Sequence, residues 1–381
     1  MVESVLLAGG GTAGHVNPLL AVADELRRRH PSVRVTVLGT ASGLEAELVP
    51  ARGYPLSVVP RVPMPRRPTL DWVRLPGRLS AAVRAAGRAI DESGAQVVVG
   101  FGGYVATPAY LAARRRGVPV VIHEQNARPG LANRLGARWA RSVAVTFPGT
   151  PLPGAIVTGL PLRPAVADLI AVRRIDPVGA RRTAAESLGL DPERPTLLVT
   201  GGSLGALSLN TAVAEAAAAI LSSGAQVLHL TGRGKADAVR ATLGGLPAGL
   251  PTERYQVLEY LPAMERALAV ADVVLARAGA GTVSELSALG IPAVYVPLPI
   301  GNGEQRLNAG PVVHAGGGLL VDDADLDGAW LRDNLLPLLA DRARLDAMAA
   351  AAASVGVTDA AGRVVDLVES AAASPTPGAS S

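Results

Sequence analysis

Two apolar runs in this chain break into glycine-rich turns. Val5-Leu6-Leu7-Ala8 leads into Gly9-Gly10-Gly11-Thr12-Ala13-Gly14-His15, and Leu197-Leu198-Val199-Thr200 leads into Gly201-Gly202-Ser203-Leu204-Gly205-Ala206. Each predicts a strand, a tight turn and a helix start. Glycines let the backbone approach an anion closely, and a helix start offers unpaired N–H groups with a favourable dipole, so each copy is suited to cradling phosphate. Two copies nearly half a chain apart point to two nucleotide-type α/β domains facing one cleft.

A chain of 381 residues is too long for one ordinary core and suits two domains. Strand-like runs at 4–8, 33–38, 97–100, 118–122 and 143–146 alternate with helical stretches such as 18–29 and 78–91. That alternation implies right-handed crossovers and a parallel sheet. A proline-rich connection from Pro148 to Pro164 and a charged segment to about Arg194 mark the domain boundary. Beyond it the logic repeats, with strands near 196–200, 226–230, 256–258, 272–276, 292–296 and 319–321. Residues 340–354 and 358–372 read as closing helices, and the Ser/Pro/Ala/Gly tail from about Ala373 reads as disordered.

Composition narrows the function. Basic residues number 36 against 32 acidic, a net charge of +4 that permits anionic partners without demanding nucleic acid. Aromatic residues are only 3%, too few for base-stacking platforms. Lys235 is the sole lysine, which leaves little room for lysine-based P-loop or Schiff-base chemistry. The absence of cysteine excludes disulfides, thiolate catalysis and cysteine-ligated zinc, and fits a reducing cytosol. With Glu3 and a four-residue apolar run ahead of the glycines, the N-terminus reads as a buried first strand rather than a signal peptide. The uncharged stretch Ser93 to Ala113, as long as any in the chain, is interrupted by Gly94, Gly100, Gly102, Gly103 and Pro108 and reads as strand, loop and helix, so the protein is expected to be soluble or peripheral.

Several motifs carry possible chemistry, each beside a plainer role. Gly9-x-Gly11-x-x-Gly14 has the dinucleotide spacing, but Val37-Leu38-Gly39-Thr40 lacks the acidic residue that would close the second strand on a ribose. His15, at a helix start on the sheet's carboxyl edge, suits a general base; a packing or capping histidine is the alternative. Asp272 to Glu285 forms a third strand-loop-helix turn, read with Glu285 in the helix's first turn. Its loop amides with Thr282 or Ser284 suit a phosphate, and Glu285 suits a ribose diol or a helix cap. Arg163, between Pro161 and Pro164, has the forked donors a diphosphate needs, or is an ordinary surface arginine. His123-Glu124-Gln125-Asn126 places four hydrogen-bonding side chains at a strand end, suited to sugar hydroxyls or to a polar loop; Gly303 to Asn308 is similar. Asp323-Ala324-Asp325-Leu326-Asp327 has divalent-cation spacing and reads as an acidic turn capping a helix near Leu326. From Arg61 to Arg88, Arg66, Arg67, Arg74, Arg78 and Arg84 accompany Trp72, Val73, Leu75 and Leu79. This is either a basic-apolar surface for an anionic bilayer or an amphipathic helix with a solvated face.

In order and spacing, Gly9 to Pro18, Gly102-Gly103-Tyr104-Val105, His123 to Asn126, Gly201 to Ala206 and Arg277 to Glu285 resemble the MurG family of peptidoglycan N-acetylglucosaminyltransferases. The resemblance runs from Val2 to about Glu369. It implies the GT-B fold, two Rossmann-like parallel-sheet domains facing an interdomain cleft. It also implies inverting transfer of GlcNAc from UDP-GlcNAc to the 4-hydroxyl of MurNAc in lipid I, forming lipid II. The implied division is an acceptor and membrane-facing domain at 1–162, a donor domain at 163–355, a helix at 356–372 returning to the first domain, and a tail at 373–381.

By motif, Leu261 would present its backbone to uracil, Glu285 would hold ribose, and Ser203 and Thr282 would approach the diphosphate with Ala280, Gly281, Val283 and Ser284 around them. Arg163 would meet donor phosphate, Gln305 would contact GlcNAc hydroxyls, Thr12, Ala13, Gly14 and Asn126 would line the cleft, and His15 would be the base. No metal or other cofactor is implied and no nucleic acid is expected. The implied location is the cytoplasmic face of the cell membrane, reached through the Arg61 to Arg88 segment. Ala13, Leu160, Ala278 and Glu304 depart from the family pattern, and Glu304 leaves the sugar-contact pair half changed. Other readings are a UDP-GlcNAc 2-epimerase, another GT-B transferase, and a non-catalytic nucleotide-sugar-binding subunit.

Overall fold

The structure, a computed structural model, describes residues 2–62 and 71–373, with residues 71–74 described through their backbone alone. The chain divides into two compact units, one formed by Met1–Arg163 with the segment from Asp359 onward, the other by Pro164–Thr358.

The first unit holds seven parallel strands: β1 (Ser4–Ala8), β2 (Arg34–Gly39), β3 (Leu56–Val58), β4 (Val97–Gly100), β5 (Val120–Glu124), β6 (Ser142–Val145) and β7 (Ala155–Val157). Their order is β3-β2-β1-β4-β5-β6-β7. Strands β1, β4 and β5 are buried on both faces, which is why they read as continuous apolar runs. Successive side chains alternate between the faces: Val5 and Leu7 enter one core with Val16, Leu19 and Val37, while Leu6 and Ala8 enter another with Val83, Ala86 and Ile90. The helices of this unit include α1 (Ala13–Arg29), α2 (Glu45–Ala51), α3 (Asp71–Ser93), α4 (Ala106–Arg116) and α5 (Leu131–Gly136).

The helix Ala360–Ala373 completes the first unit. Its Val364, Val365 and Val368 are buried in the α1-side core, and Arg29 reaches Asp366 at 2.6 Å and the Gly362 carbonyl at 3.1 Å. His30 meets Glu369 at 2.8 Å.

The second unit is a six-stranded parallel sheet of β8 (Thr196–Thr200), β9 (Gln226–Leu230), β10 (Tyr255–Leu258), β11 (Val273–Ala276), β12 (Ala293–Tyr295) and β13 (Gly318–Leu320), ordered β10-β9-β8-β11-β12-β13. In both sheets the strand order reverses beside the first strand, at β1/β4 and at β8/β11. Open α/β sheets form their ligand crevice at the carboxyl ends of the strands flanking such a reversal. The glycine loops stand at those ends.

Two strands went unread in the sequence. β3 and β7 are three-residue edge strands, partly or wholly exposed, too short to stand out in the sequence as strands. The expected tail falls outside the described residues beyond Ala373, as do Arg66 and Arg67 and the side chains of Trp72, Val73 and Arg74.

Candidate active site

In the first unit, β1 delivers the chain into the turn Gly9–Gly11, and Thr12 caps α1 from an extended conformation. Thr12 Oγ1 hydrogen-bonds His15 Nδ1 at 3.1 Å. The half-buried imidazole faces Gly102, where a Cβ would stand 3.2 Å from Nε2. Gly102 and Gly103 both take positive φ, 88° and 78°, and a Cβ on Gly103 would lie 2.6 Å from the Gly10 carbonyl oxygen. Only glycine admits this approach of the β1 and β4 loops. Desolvation lowers the His15 pKa, against smaller raising effects from the Gly10 backbone and the Glu45 charge. A lowered pKa keeps the ring neutral at pH 7, the form that accepts a proton. Ala13 and Gly14 are exposed on the first turn of α1.

The His123 to Asn126 cluster splits. His123, Glu124 and Gln125 are buried, with only Asn126 half-exposed. His123 Nε2 lies 2.9 Å from the Gly159 carbonyl, and burial drives its pKa down to about 4. Glu124 accepts from the amides of Asn126 and Gly130, both at 3.0 Å, and from Asn133 Nδ2 at 2.9 Å. Tyr110 O–H donates to Asn133 Oδ1 at 2.7 Å. These side chains hold the loop in shape, and of the four only Asn126 reaches the surface.

In the second unit the loop after β8 is pinned from beneath. Gly202 and Gly205 take φ of 79° and 67°. A Cβ on Gly205 would overlap the Thr231 carbonyl and come within 2.9 Å of Gly232 Cα. Lys235 Nζ donates to the Leu204 carbonyl at 2.7 Å, giving the lone lysine a structural task. Ser203 and Leu204 stay exposed at the tip.

Beside that loop in the sheet order, β11 leads through Arg277 and Gly279 into the helix Ala280–Leu289. This helix start carries no side-chain cap and no acid in its first turn. Glu285 is the sixth helical residue, so its place is the second turn, a correction of the first-turn reading; it is half-buried, as are Gly281, Thr282 and Ser284, while Ala280 and Val283 are buried.

Arg277, unread in the sequence, fastens this edge. It reaches Asp323 Oδ1 at 2.5 Å, the carbonyls of Val296 and Pro297 at 3.2 and 3.3 Å, and Ser208 Oγ at 3.1 Å. Ser208 also donates to Asp323. Asp323 is thereby committed, and Asp327 accepts the Trp330 amide at 2.7 Å as a helix cap. The D-x-D run is thus built into the fold, and the described residues contain no group of three His, Asp or Glu side chains arranged to hold a metal.

Gln305 Oε1 accepts from the amides of Ala278 at 3.2 Å and Leu298 at 3.0 Å, tying two strand-end loops together, so a sugar contact would fall to its amide nitrogen. Leu261 stands half-buried in the loop after β10. Arg163, half-buried, closes the first unit immediately before the helix Pro164–Ile175. On the first unit, an open groove of about 560 Å³ is lined by Ser42, Val58, Pro60, Arg61, Arg84 and Arg88 among others. No helix among the described residues is long and apolar enough to cross a membrane.

Residues 5–145 match the glycosyltransferase family 28 N-terminal domain, and residues 196–364 match its C-terminal domain. A relative from Paenarthrobacter aurescens, named UDP-N-acetylglucosamine–N-acetylmuramyl-(pentapeptide) pyrophosphoryl-undecaprenol N-acetylglucosamine transferase, is 54% identical over 96% of this chain and 95% of its own. A Streptomyces coelicolor protein of the same name is 52% identical over 97% of this chain and 98% of its own. Among solved structures, MurG of Acinetobacter baumannii superposes with a TM-score of 0.77 at 30% identity, covering 97% of this chain and 99% of that one. A UDP-GlcNAc 2-epimerase from Neisseria meningitidis reaches a TM-score of 0.71 at 15% identity over 97% of this chain and all of that one, a likeness of fold.

Proposed function

Because this chain belongs to glycosyltransferase family 28, and within it to the MurG N-acetylglucosaminyltransferases, we propose that its first unit activates the MurNAc 4-hydroxyl of lipid I while its second unit holds UDP-GlcNAc. The fold is GT-B and the activity is GlcNAc transfer forming lipid II. The observation that carries the division of labour is the His15 imidazole held by Thr12 at the β1/β4 reversal, matched by an uncapped helix start with a nearby carboxylate at the β8/β11 reversal.

In this reading His15 takes the proton of the acceptor 4-hydroxyl. The oxygen forms a bond to C1 of GlcNAc, the C1–O bond to the diphosphate breaks on the opposite face, and UDP leaves with inversion. The Ser203 loop, the Ala280 to Ser284 helix start and Arg163 answer the charge of the departing diphosphate, so the step is proposed to need no metal. Glu285 accepts from the ribose diol, the Leu261 backbone meets uracil, and Gln305 donates to the sugar. Thr12, Ala13, Gly14 and Asn126 face the acceptor. Arg61, Arg84 and Arg88 on the groove, with the segment between, bring the enzyme to the anionic cytoplasmic face of the membrane, where the polyprenyl tail of the acceptor lies.

The test is UDP release from UDP-GlcNAc in EDTA, with and without a lipid I analogue. Release that requires the acceptor supports a metal-independent transferase. No release despite UDP binding moves the reading to a binding subunit, and 2-epimerised sugar moves it to the isomerase.

A further inference from the structure

Among the side chains surrounding the first glycine loop, one is fully buried, charged and outside every role given above. Glu45, the first residue of α2, is 0% exposed. Its Oε2 accepts the Gly11 amide at 2.8 Å; its Oε1 accepts the Thr40 amide at 2.9 Å and the Thr40 hydroxyl at 2.7 Å. One carboxylate thus bridges the loop after β1 and the loop after β2.

Three glycines make the space it occupies. A Cβ on Gly10 would come within 2.6 Å of the carboxyl carbon, one on Gly39 within 2.6 Å of Cγ, and one on Gly43 would overlap both oxygens. Gly10 of the first loop, together with Gly39 and Gly43 around the end of β2, thus leaves room for an anion the protein supplies itself. With the Gly11 amide committed, a phosphate there would lose that donor and meet a fixed negative charge. Burial pushes the carboxyl pKa up, but the Gly11 amide, the Thr40 hydroxyl and further backbone donors outweigh it and hold the group below its ordinary value, hence ionised.

We propose that Glu45 is a positioning residue for GlcNAc transfer, filling the anion cradle of the first glycine loop and fixing the turn from which His15 projects. The proposal rests on His15 as the base. Glu45 is positioned to act by reach, because the Gly11 tie lies four residues before His15, and by charge, because its field favours protonation of the ring and offsets part of the desolvation there. Thr12 and Gly102 face the ring uncharged, and Glu45 is the charged group among the described residues whose field acts on it.

Glu45→Gln separates this role from simple packing. Its one carbonyl oxygen keeps the two Thr40 donors, while its NH2 opposes the Gly11 N–H, donor against donor. On Glu45→Gln and His15→Ala, kcat with KM and UDP affinity by calorimetry are measured, and the His15 pKa is read by ring NMR on the parent and on Glu45→Gln. The expected Glu45→Gln result is a kcat lower by on the order of 10²-fold, unchanged UDP affinity, and a His15 pKa below that of the parent. Parent-like kcat with an unmoved His15 titration overturns the proposal. Undiminished kcat in His15→Ala instead removes the base, whatever the NMR of Glu45→Gln shows. Glu45→Asp keeps the charge but is one methylene short of spanning Gly11 and Thr40, and it carries the test if the glutamine variant does not fold. Low kcat there supports positioning by reach, and parent-like kcat overturns it.

Discussion

Gly205→Ala tests whether the loop after β8 must keep its present path to bind UDP. The substitution has two separable effects. Gly205 sits at φ 67°, so alanine incurs the left-handed backbone strain, about 1–2 kcal/mol. The new Cβ would also overlap the Thr231 oxygen and lie 2.8 Å from its carbonyl carbon and 2.9 Å from Gly232 Cα, backbone that must retreat by about 1 Å to reach ordinary contact near 3.5–4 Å. Displacement on that scale takes a loop N–H out of reach of a diphosphate. Losing one hydrogen bond to a charged group, about 2 kcal/mol, corresponds to roughly 30-fold in Kd. Gly224→Ala is the control: its φ is 88° but no atom stands within 4 Å of the added Cβ, so it carries the strain without the displacement. Isothermal titration with UDP on both variants isolates the second effect. Equal UDP affinity in the two would refute the claim that this crossing shapes the donor site.

Three further outcomes are expected. His15→Ala lowers kcat by about 10²–10⁴ with UDP binding kept; because the ring's pKa is lowered, the acid limb of the parent's pH–rate profile should fall below the ordinary histidine value of 6.5, and a limb above it would assign the titration to another group. Ser in place of Trp72 and Leu75 weakens binding to anionic vesicles while sparing turnover of a short-chain soluble acceptor, and unchanged vesicle binding removes the proposed membrane role. His229 is fully buried, Nδ1 at 2.8 Å from the Tyr255 hydroxyl and Nε2 at 3.0 Å from Asn210 Oδ1, with its pKa driven down from 6.5 to about 4 by burial. Below 6.5 the unfolded chain binds the proton first, so this stability is whole above pH 6.5 and is lost progressively toward pH 4, about 3 kcal/mol in all. Urea midpoints of the second unit across that range, compared with His229→Gln, check it; identical slopes would sink the assignment.

The sequence alone determined the class and the strand-end loops that the proposed sites use. Strand and helix alternation, the glycine turns and the positions of His15 and Ser203 follow from patterns within a few neighbouring residues, where backbone conformation is decided. Tertiary structure decided what the buried polar groups do. Arg277 read as one more residue of a loop until Asp323, 46 positions on, and Ser208, 69 positions back, closed around it. Glu124 read as one of four side chains suited to sugar hydroxyls or to a polar loop, and Asn133, nine residues on and reached only across the following turn, draws it inward.

Likewise Glu45 carried no signal, because its tie to the first loop, through Gly11 and Gly10, arrives from another strand while only Thr40, Gly39 and Gly43 are its neighbours in sequence. Glycines mark a cavity in sequence without saying what fills it. A loop's shape is written locally, but whether its N–H groups serve a ligand or the protein's own carboxylate depends on which strands the crossovers make neighbours, and that is a property of the sheet order.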